Sequence, residues 1–312
     1  VEVPDRNAAL AGAGGFSLAL HVWPTTPGKR QGVVSRWSEA DGSGWALLLE
    51  DGHFVAVVSD GKTTARLACP KPVFPEVWYS VVMTVDVAGQ TLALSQVATI
   101  NSVNSRFGRM VDLDTDASAS CALTTAPGTP TVPVLMAGLA AQSLAHRPRV
   151  TALFNGKLDG PRLYARALTE AEASTLHAGG LVPGALAHWD FAAGTTRRGI
   201  ANDDIADIAG GGFHGFCINQ PDRGMTGWNW DGTEEHFVHC PEQYGALWFH
   251  EDSLDDCRWQ PSVRFVVPTD LPSGCYALKV EQDGTMDRIP FFVVPPRGTA
   301  TARIAVVMPT FS

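Results

Sequence analysis

The chain has 312 residues, 45% hydrophobic and 18% charged, with a net charge of −9 and a pI near 5.4. That length allows two domains with real cores, and the acidic balance excludes the basic footprint that a nucleic-acid or anionic-membrane partner requires. No apolar run reaches the roughly eighteen residues of a membrane-spanning helix. The N-terminus has no charged segment followed by an apolar one, so no signal peptide is visible, although a start at Val1 leaves room for a removed leader.

From Gly15 to about Gly180 the sequence reads strand, turn, strand. "FSLALHVW" alternates, with Phe16, Leu18 and Leu20 on one face and Ser17, Ala19 and His21 on the other. "QGVVSRW", "GWALLLEDGHFVAVVSDG" and "VWYSVVMTVDVAGQTLALSQV" follow, and Asp51-Gly52, Asp60-Gly61 and Ala88-Gly89 are hairpin-turn signals between apolar runs. The one good helical signal is "LTEAEASTLHAGG". Thr169 can cap it, Glu170 and Glu172 suit the positive end of the helix dipole, and Gly179 can end it.

The blocks "FSLALHVWPTTPGKRQGVVSRW", "GWALLLEDGHFVAVV", "VWYSVVMTVD" and "FNGKLDGPRLYARALTEAEASTLHAGG" resemble a laminin-G/concanavalin-A-like jelly-roll module. The last block carries most of the resemblance, through Phe154, Gly156, Leu158, Asp159, Arg162, Tyr164, Arg166, Ala167, Leu168 and Thr169, which match the family's closing strand and short helix. "LALSQVATINS" replaces the family's usual "V-D-G" hairpin. Such modules often bind glycans on aromatic platforms. Trp23, Trp37, Trp45 and Trp78 offer one, and Asp41 with Asp51 suggests calcium. The absence of a converging cluster of loop carboxylates favours the other reading, in which these tryptophans fill the core and the aspartates sit in turns.

After Pro183 the texture changes. "ALAHWDFAAG" and "GGGFHGFCINQPDRGMTGWNWDG" are rich in glycine and aromatics, and the "WNW" at 228–230 suits either a flat ligand or a packed loop. "YGALWFHEDSLDDCRW", "PSVRFVVP", "SGCYALKVEQDG" and "DRIPFFVVPP" read as strands of an immunoglobulin-like sheet, with Asp283-Gly284 as a hairpin turn. These are too few for a closed sandwich of about seven strands. His236, His239 and His250, with Glu251, are candidate metal ligands. However, H-E-x-x-H is absent and Pro241 breaks any helix there, so a hydrogen-bonded polar surface is the default. Serine elbows, phosphate loops and G-x-G-x-x-G are also absent. The six cysteines are scattered without metal or redox spacing and read as small buried hydrophobes in a reducing cytoplasm, an oxidised set being the weaker alternative. The terminal "RIAVVMPTFS" predicts a strand over Ile304 to Met308 of the kind buried in a parallel sheet.

Taken together, "ALAHWDF", "GFHGFCINQPDRGMTGWNW", "YGALWFHEDSLDDCRWQP", "LPSGCYALKV", "RIPFFVVPP" and "VVMPTFS" resemble the large subunit of N,N-dimethylformamidase. The resemblance implies an iron-dependent amide hydrolase, cytoplasmic, working with a small subunit and a second large subunit to split dimethylformamide into dimethylamine and formate. It also implies iron held by two tyrosine phenolates and a glutamate, a hard oxygen set suited to a Lewis acid that activates water. None of Tyr79, Tyr164, Tyr244 and Tyr276 matches that ligand motif, so the iron is expected beyond Ser312.

The expected architecture is therefore all-β. Residues 1–182 form a laminin-G/concanavalin-A-like jelly roll, and 183–298 a β-rich junction with an immunoglobulin-like part-domain. Residues 299–312 form the first strand of an α/β catalytic domain. The segment alone is expected to be inactive. Ser312, in the loop leaving that strand, is a candidate for positioning an iron ligand or the attacking water, or simply for capping the next element. A glycan-binding module of another enzyme and a structural assembly module are the alternatives.

Overall fold

The computed structural model describes residues 1–5, 8–99, 114–143, 148–200, 202–251 and 259–307. The chain divides into two units, Val1–Ser253 and Leu254–Ser312. The first unit contains β1 (Glu2–Val3), β2 (Phe16–Pro24), β3 (Gln31–Ser38), β4 (Ser43–Glu50), β5 (His53–Asp60), β6 (Thr64–Ala68), β7 (Trp78–Asp86) and β8 (Thr91–Thr99). It continues with β9 (Ala117–Ala122), β10 (Val134–Met136), β11 (Leu139–Ser143), β12 (Pro148–Thr151), β13 (Gly156–Tyr164), α1 (Glu170–His177) and β14 (Ala187–Asp190). The short strands β15 (Thr195–Thr196), β16 (Gly199–Ile200), β17 (Asp204–Asp207), β18 (Gly215–Phe216), β19 (Asp222–Met225) and β20 (Ala246–Phe249) complete it.

One sheet runs β6–β5–β4–β3–β10–β1 and the other β9–β8–β7–β2–β13. Two strands share the far edge of β13: β20 pairs with Gly156 to Asp159, and β14 with Arg162 and Leu163. From β14, antiparallel pairing passes through β17 and β18 back to β1, so the two sheets join into a nearly closed sandwich. The alternation read from "FSLALHVW" holds: Phe16, Leu18, Leu20 and Val22 enter the central core with Trp45, Leu47, Phe54, Tyr79 and Met83. Each such side chain contributes about 1.5–3 kcal/mol of burial. The opposite face is covered as well, since Ala19 and Val82 pack under Leu168, Leu176 and Val182 from the region of α1.

Local chemistry explains the joints. Asp51 and Gly52 adopt φ of 49° and 80°, the left-handed pair that a two-residue hairpin needs to match strand twist. Thr169 and Glu172 form a capping box at the start of α1. At the other end Gly180 N–H donates to Thr175 O (2.8 Å) and Gly179 N–H to Leu176 O (3.0 Å), closing the helix. Gly156 sits at φ 139°, where a Cβ would lie 2.1 Å from the Trp23 carbonyl, so only glycine lets β13 pair with β2 there.

The described residues differ from the strands read in the sequence at three places. The junction strands β14 to β20 fall within the first unit, where β14 and β20 pair along the outer edge of β13. "PSVRFVVP" forms no strand, and its Val263, Phe265 and Val266 are exposed. Residues 304–307, the described part of the expected terminal strand, are irregular, with Ile304, Val306 and Val307 exposed. β-Branched residues favour a strand only where a ladder partner and a packing surface exist, and none lies beside them among the described residues.

Among the described residues the second unit contains one hairpin, β21 (Gly274–Gln282) and β22 (Thr285–Val293), turned by Asp283 (φ 51°) and Gly284 (φ 82°) as the sequence predicts. Of the cysteines, Cys69 and Cys217 are buried and Cys121 and Cys240 half-buried, whereas Cys275 is exposed on β21 against expectation. All five are free, and Cys257 lies outside the described residues.

Candidate functional site

The structure does not unite the three candidate histidines. His239 Nδ1 lies 3.1 Å from Glu234 Oε1, and the His236 ring stacks on Phe237 with centroids 4.9 Å apart. Both belong to an exposed turn ahead of the 3-10 turn Pro241–Gln243, where Pro241 ends any helical continuation. His250 stands at the end of β20 with its Nε2 3.4 Å from Asp222 Oδ2. Among the described residues no group of three or more His, Cys, Asp or Glu side chains converges as a metal site. Ser312 lies outside the described residues.

The tyrosines do not fit an iron ligand set. Tyr164, Tyr244 and Tyr276 donate their hydroxyl protons to the carbonyls of Val182 (3.1 Å), Glu234 (2.8 Å) and Pro272 (2.8 Å). The buried Tyr79 oxygen accepts the Phe74 N–H at 2.9 Å. Burial raises the pKa of Tyr79 and of Tyr164 above the ordinary phenol value.

Nor do the four tryptophans make a platform. Trp45 and Trp78 are fully buried, and Trp37 packs with the apolar cluster of Ala46, Leu48, Val55, Val57 and Leu139. Asp41 accepts a hydrogen bond from Ser38 Oγ at 2.7 Å, and Asp51 serves its hairpin turn. Of "WNW", Trp228 stacks on His21 (4.2 Å, 6°) and Trp230 Nε1 donates to Glu234 O at 2.9 Å, which makes it a packed loop.

The structure instead reveals a buried polar cluster on the outer face of β2, β13 and β20. On β13, Leu158 enters the core, so Lys157 and Asp159 point the other way. Register then sets two rows: Trp23, Lys157 and Trp248 across the three strands, and His21, Asp159 and Ala246 beside them. In the first row the Lys157 ammonium lies 4.8 Å from the Trp23 ring centroid and 5.8 Å from that of Trp248, within cation–π range. It also donates to Thr226 Oγ1 at 2.9 Å. In the second row Asp159 accepts the Trp228 N–H at 3.3 Å. A Cβ at Gly227 would stand 2.4 Å from Asp159 Oδ2, so a glycine is what lets the 226–228 backbone close over the carboxylate.

Burial sets the protonation of this cluster. Lys157 is 7% exposed and its pKa is lowered from 10.5 to about 8, with nearby Asp159 opposing the shift. Asp159 is 8% exposed and raised from 3.8 to about 6, against the opposing Trp228 N–H bond. His21 is lowered to about 3 by burial, then by the Arg162 and His177 charges, and is neutral near pH 7. The arrangement holds one cation and one anion near neutrality under a cover of indole rings, and it clamps residues 226–228 to the sheet. The alternation in "NGKLDG" marks Lys157 and Asp159 as sharing one face; nothing local in the sequence signals that this face is covered.

A cleft of about 410 Å³ opens elsewhere in this unit, with Leu135, Met136, Phe154 and Phe249 on its walls and His250 and Glu251 among its lining. Asn155 fixes Glu251, accepting its backbone N–H at 2.7 Å. Ala137, Asn219 and Gln220, also in the lining, have φ of 68°, 59° and 50°, a backbone conformation that L-residues adopt at a cost. An apolar cleft of this size suits a small organic ligand or a protein side chain.

With this geometry established, the comparisons bear on the whole chain. The chain is 49% identical over 317 aligned positions to the N,N-dimethylformamidase beta subunit of Paracoccus aminophilus, and 48% identical to that of an Alcaligenes species. Both alignments take in 100% of this chain. It spans 42% of each relative's length. The family described as "N,N-dimethylformamidase beta subunit-like, C-terminal" matches residues 222–312. Among solved structures, the CBM40 of the Ruminococcus gnavus IT-sialidase bound to alpha2,3 sialyllactose aligns at 14% identity and a TM-score of 0.41, over 56% of this chain and 86% of that one. The LG1-3 region of the laminin alpha2 chain aligns at 13% identity and a TM-score of 0.37, over 55% and 31%.

Proposed function

We propose that these 312 residues are the non-catalytic front portion of the large subunit of an iron-dependent amide hydrolase of the N,N-dimethylformamidase type. The whole enzyme adds water across a dimethylformamide C–N bond to give dimethylamine and formate. It acts in the cytoplasm, as an assembly with a small subunit and a second large subunit. The observation that carries this reading is the 49% identity to a dimethylformamidase beta subunit across the entire chain. The hydrogen-bonded state of Tyr164, Tyr244 and Tyr276 supports placing the iron ligands outside this segment. On this reading the sandwich serves packing and assembly, and Ser312 positions a ligand or the attacking water.

The test is a comparison of two preparations: the 312-residue chain, and the longer subunit with its partner. Dimethylamine release and bound iron are expected only in the second. Stoichiometric iron that survives dialysis of the 312-residue chain, with amide turnover, would overturn the proposal and return attention to His236, His239 and His250.

A further inference from the structure

The hairpin of the second unit has one largely apolar face and one mixed face, and its two edges are chemically unequal. Tyr276, Leu278 and Val280 share a face with Asp287, Ile289 and Phe291, while Lys279, Glu281 and Arg288 lie on the other with Met286 and Phe292. Tyr276 and Phe291 stack with centroids 5.7 Å apart, and Phe265 reaches Phe291 edge-on at 6.2 Å. Even so, Leu278 is 40% exposed, Val280 44% and Ile289 54%, and an isolated two-stranded ribbon is marginal in water.

The two-residue turn makes Gln282 and Thr285 a hydrogen-bonded pair, and parity then alternates along the ladder. Val280–Asp287, Leu278–Ile289 and Tyr276–Phe291 bond inward, so the peptide groups of Cys275, Ala277, Lys279 and Glu281 face out from β21. Those of Met286, Arg288, Pro290 and Phe292 face out from β22. Pro290 has no N–H, which blunts the β22 edge as proline does on natural edge strands. The β21 edge keeps every donor, and among the described residues no strand pairs with it.

We propose that the outer edge of β21 pairs with a further strand, and that the apolar face of the hairpin is covered, by polypeptide of the same subunit lying outside these 312 residues. The proposal rests on reading the chain as one portion of a longer subunit. What points to that occupant is the extent of the relatives: each aligns with all of this chain, which spans only 42% of its own length.

The ladder supplies its own control, because Lys279 and Arg288 face each other across it with outward peptide groups on opposite edges. In the full-length subunit, Lys279→Pro removes a donor from the open edge, and Arg288→Pro removes one from the edge already interrupted by Pro290. Thermal melting is expected to show Lys279→Pro lowering Tm by about 5 °C or more, the scale of a lost buried hydrogen bond with strain. Arg288→Pro and Lys279→Ala should stay near wild type, and the loss should not depend on protein concentration. Equal effects of the two prolines would overturn the pairing. A loss that deepens on dilution would assign the strand to another chain and overturn the proposed occupant. Dimethylformamide turnover by the wild-type enzyme tests the functional reading separately, since the proline comparison reads stability alone.

Discussion

Asp159→Asn should stabilise the first unit at neutral and alkaline pH. The carboxyl pKa rises from 3.8 to about 6 on folding, so the folded state disfavours the ionised form. At about 1.4 kcal/mol per pH unit, holding the charge costs on the order of 3 kcal/mol above pH 6. Because the folded pKa is raised, the folded state binds the proton more tightly. The cost is fully present above the folded value, shrinks as pH falls from about 6, and vanishes below the unfolded value of 3.8. Asparagine is isosteric, keeps an oxygen to accept the Trp228 N–H, and carries no charge to desolvate. The gain is therefore expected at pH 8 and absent near pH 4. Denaturant melts of wild type and variant at the two pH values measure it, and about 3 kcal/mol corresponds to a rise of roughly 5–10 °C in Tm for a unit of this size. A variant less stable than wild type at pH 8, or a change equal at both pH values, would show that the buried charge is not what the substitution relieves. It would mean that attraction to Lys157 outweighs the burial of the charge.

Thr169→Ala removes the capping-box acceptor of α1 and should cost about 1 kcal/mol in a thermal melt, with Thr169→Ser near wild type. Gly156→Ala forces a Cβ to 2.1 Å from the Trp23 carbonyl and should cost several kcal/mol, about 3 or more, or abolish soluble expression. In the complete enzyme, Ser312→Ala should lower turnover about tenfold or more with iron content and Tm unchanged; wild-type turnover would leave Ser312 only a capping role. The first unit should show no saturable sugar binding below about a millimolar, roughly −4 kcal/mol, in a calorimetric titration; such binding would promote the glycan-binding alternative.

The features legible in the residue order are mostly local. Asp51-Gly52 and Asp283-Gly284 turn their hairpins because few residues besides glycine, asparagine and aspartate adopt positive φ cheaply, so the chemistry of two residues decides the turn. Thr169 and Glu172 start α1 through their own side chains, and the alternation of Phe16, Leu18 and Leu20 names their common face. The tertiary structure alone decided what covers a face and which edge receives a strand. "ALWF" is apolar enough for several sheets, and only the open flank of β13 draws it there. "RIAV" and "RFVV" have strand propensity and stay irregular, because a ladder requires a neighbour that propensity cannot supply. Alternation puts Lys157 and Asp159 on one face, and residues 226–228 are what cover it. Burial depends on contacts about seventy positions away in the chain, with Thr226 bonding Lys157 and Trp228 bonding Asp159, and no local pattern encodes it.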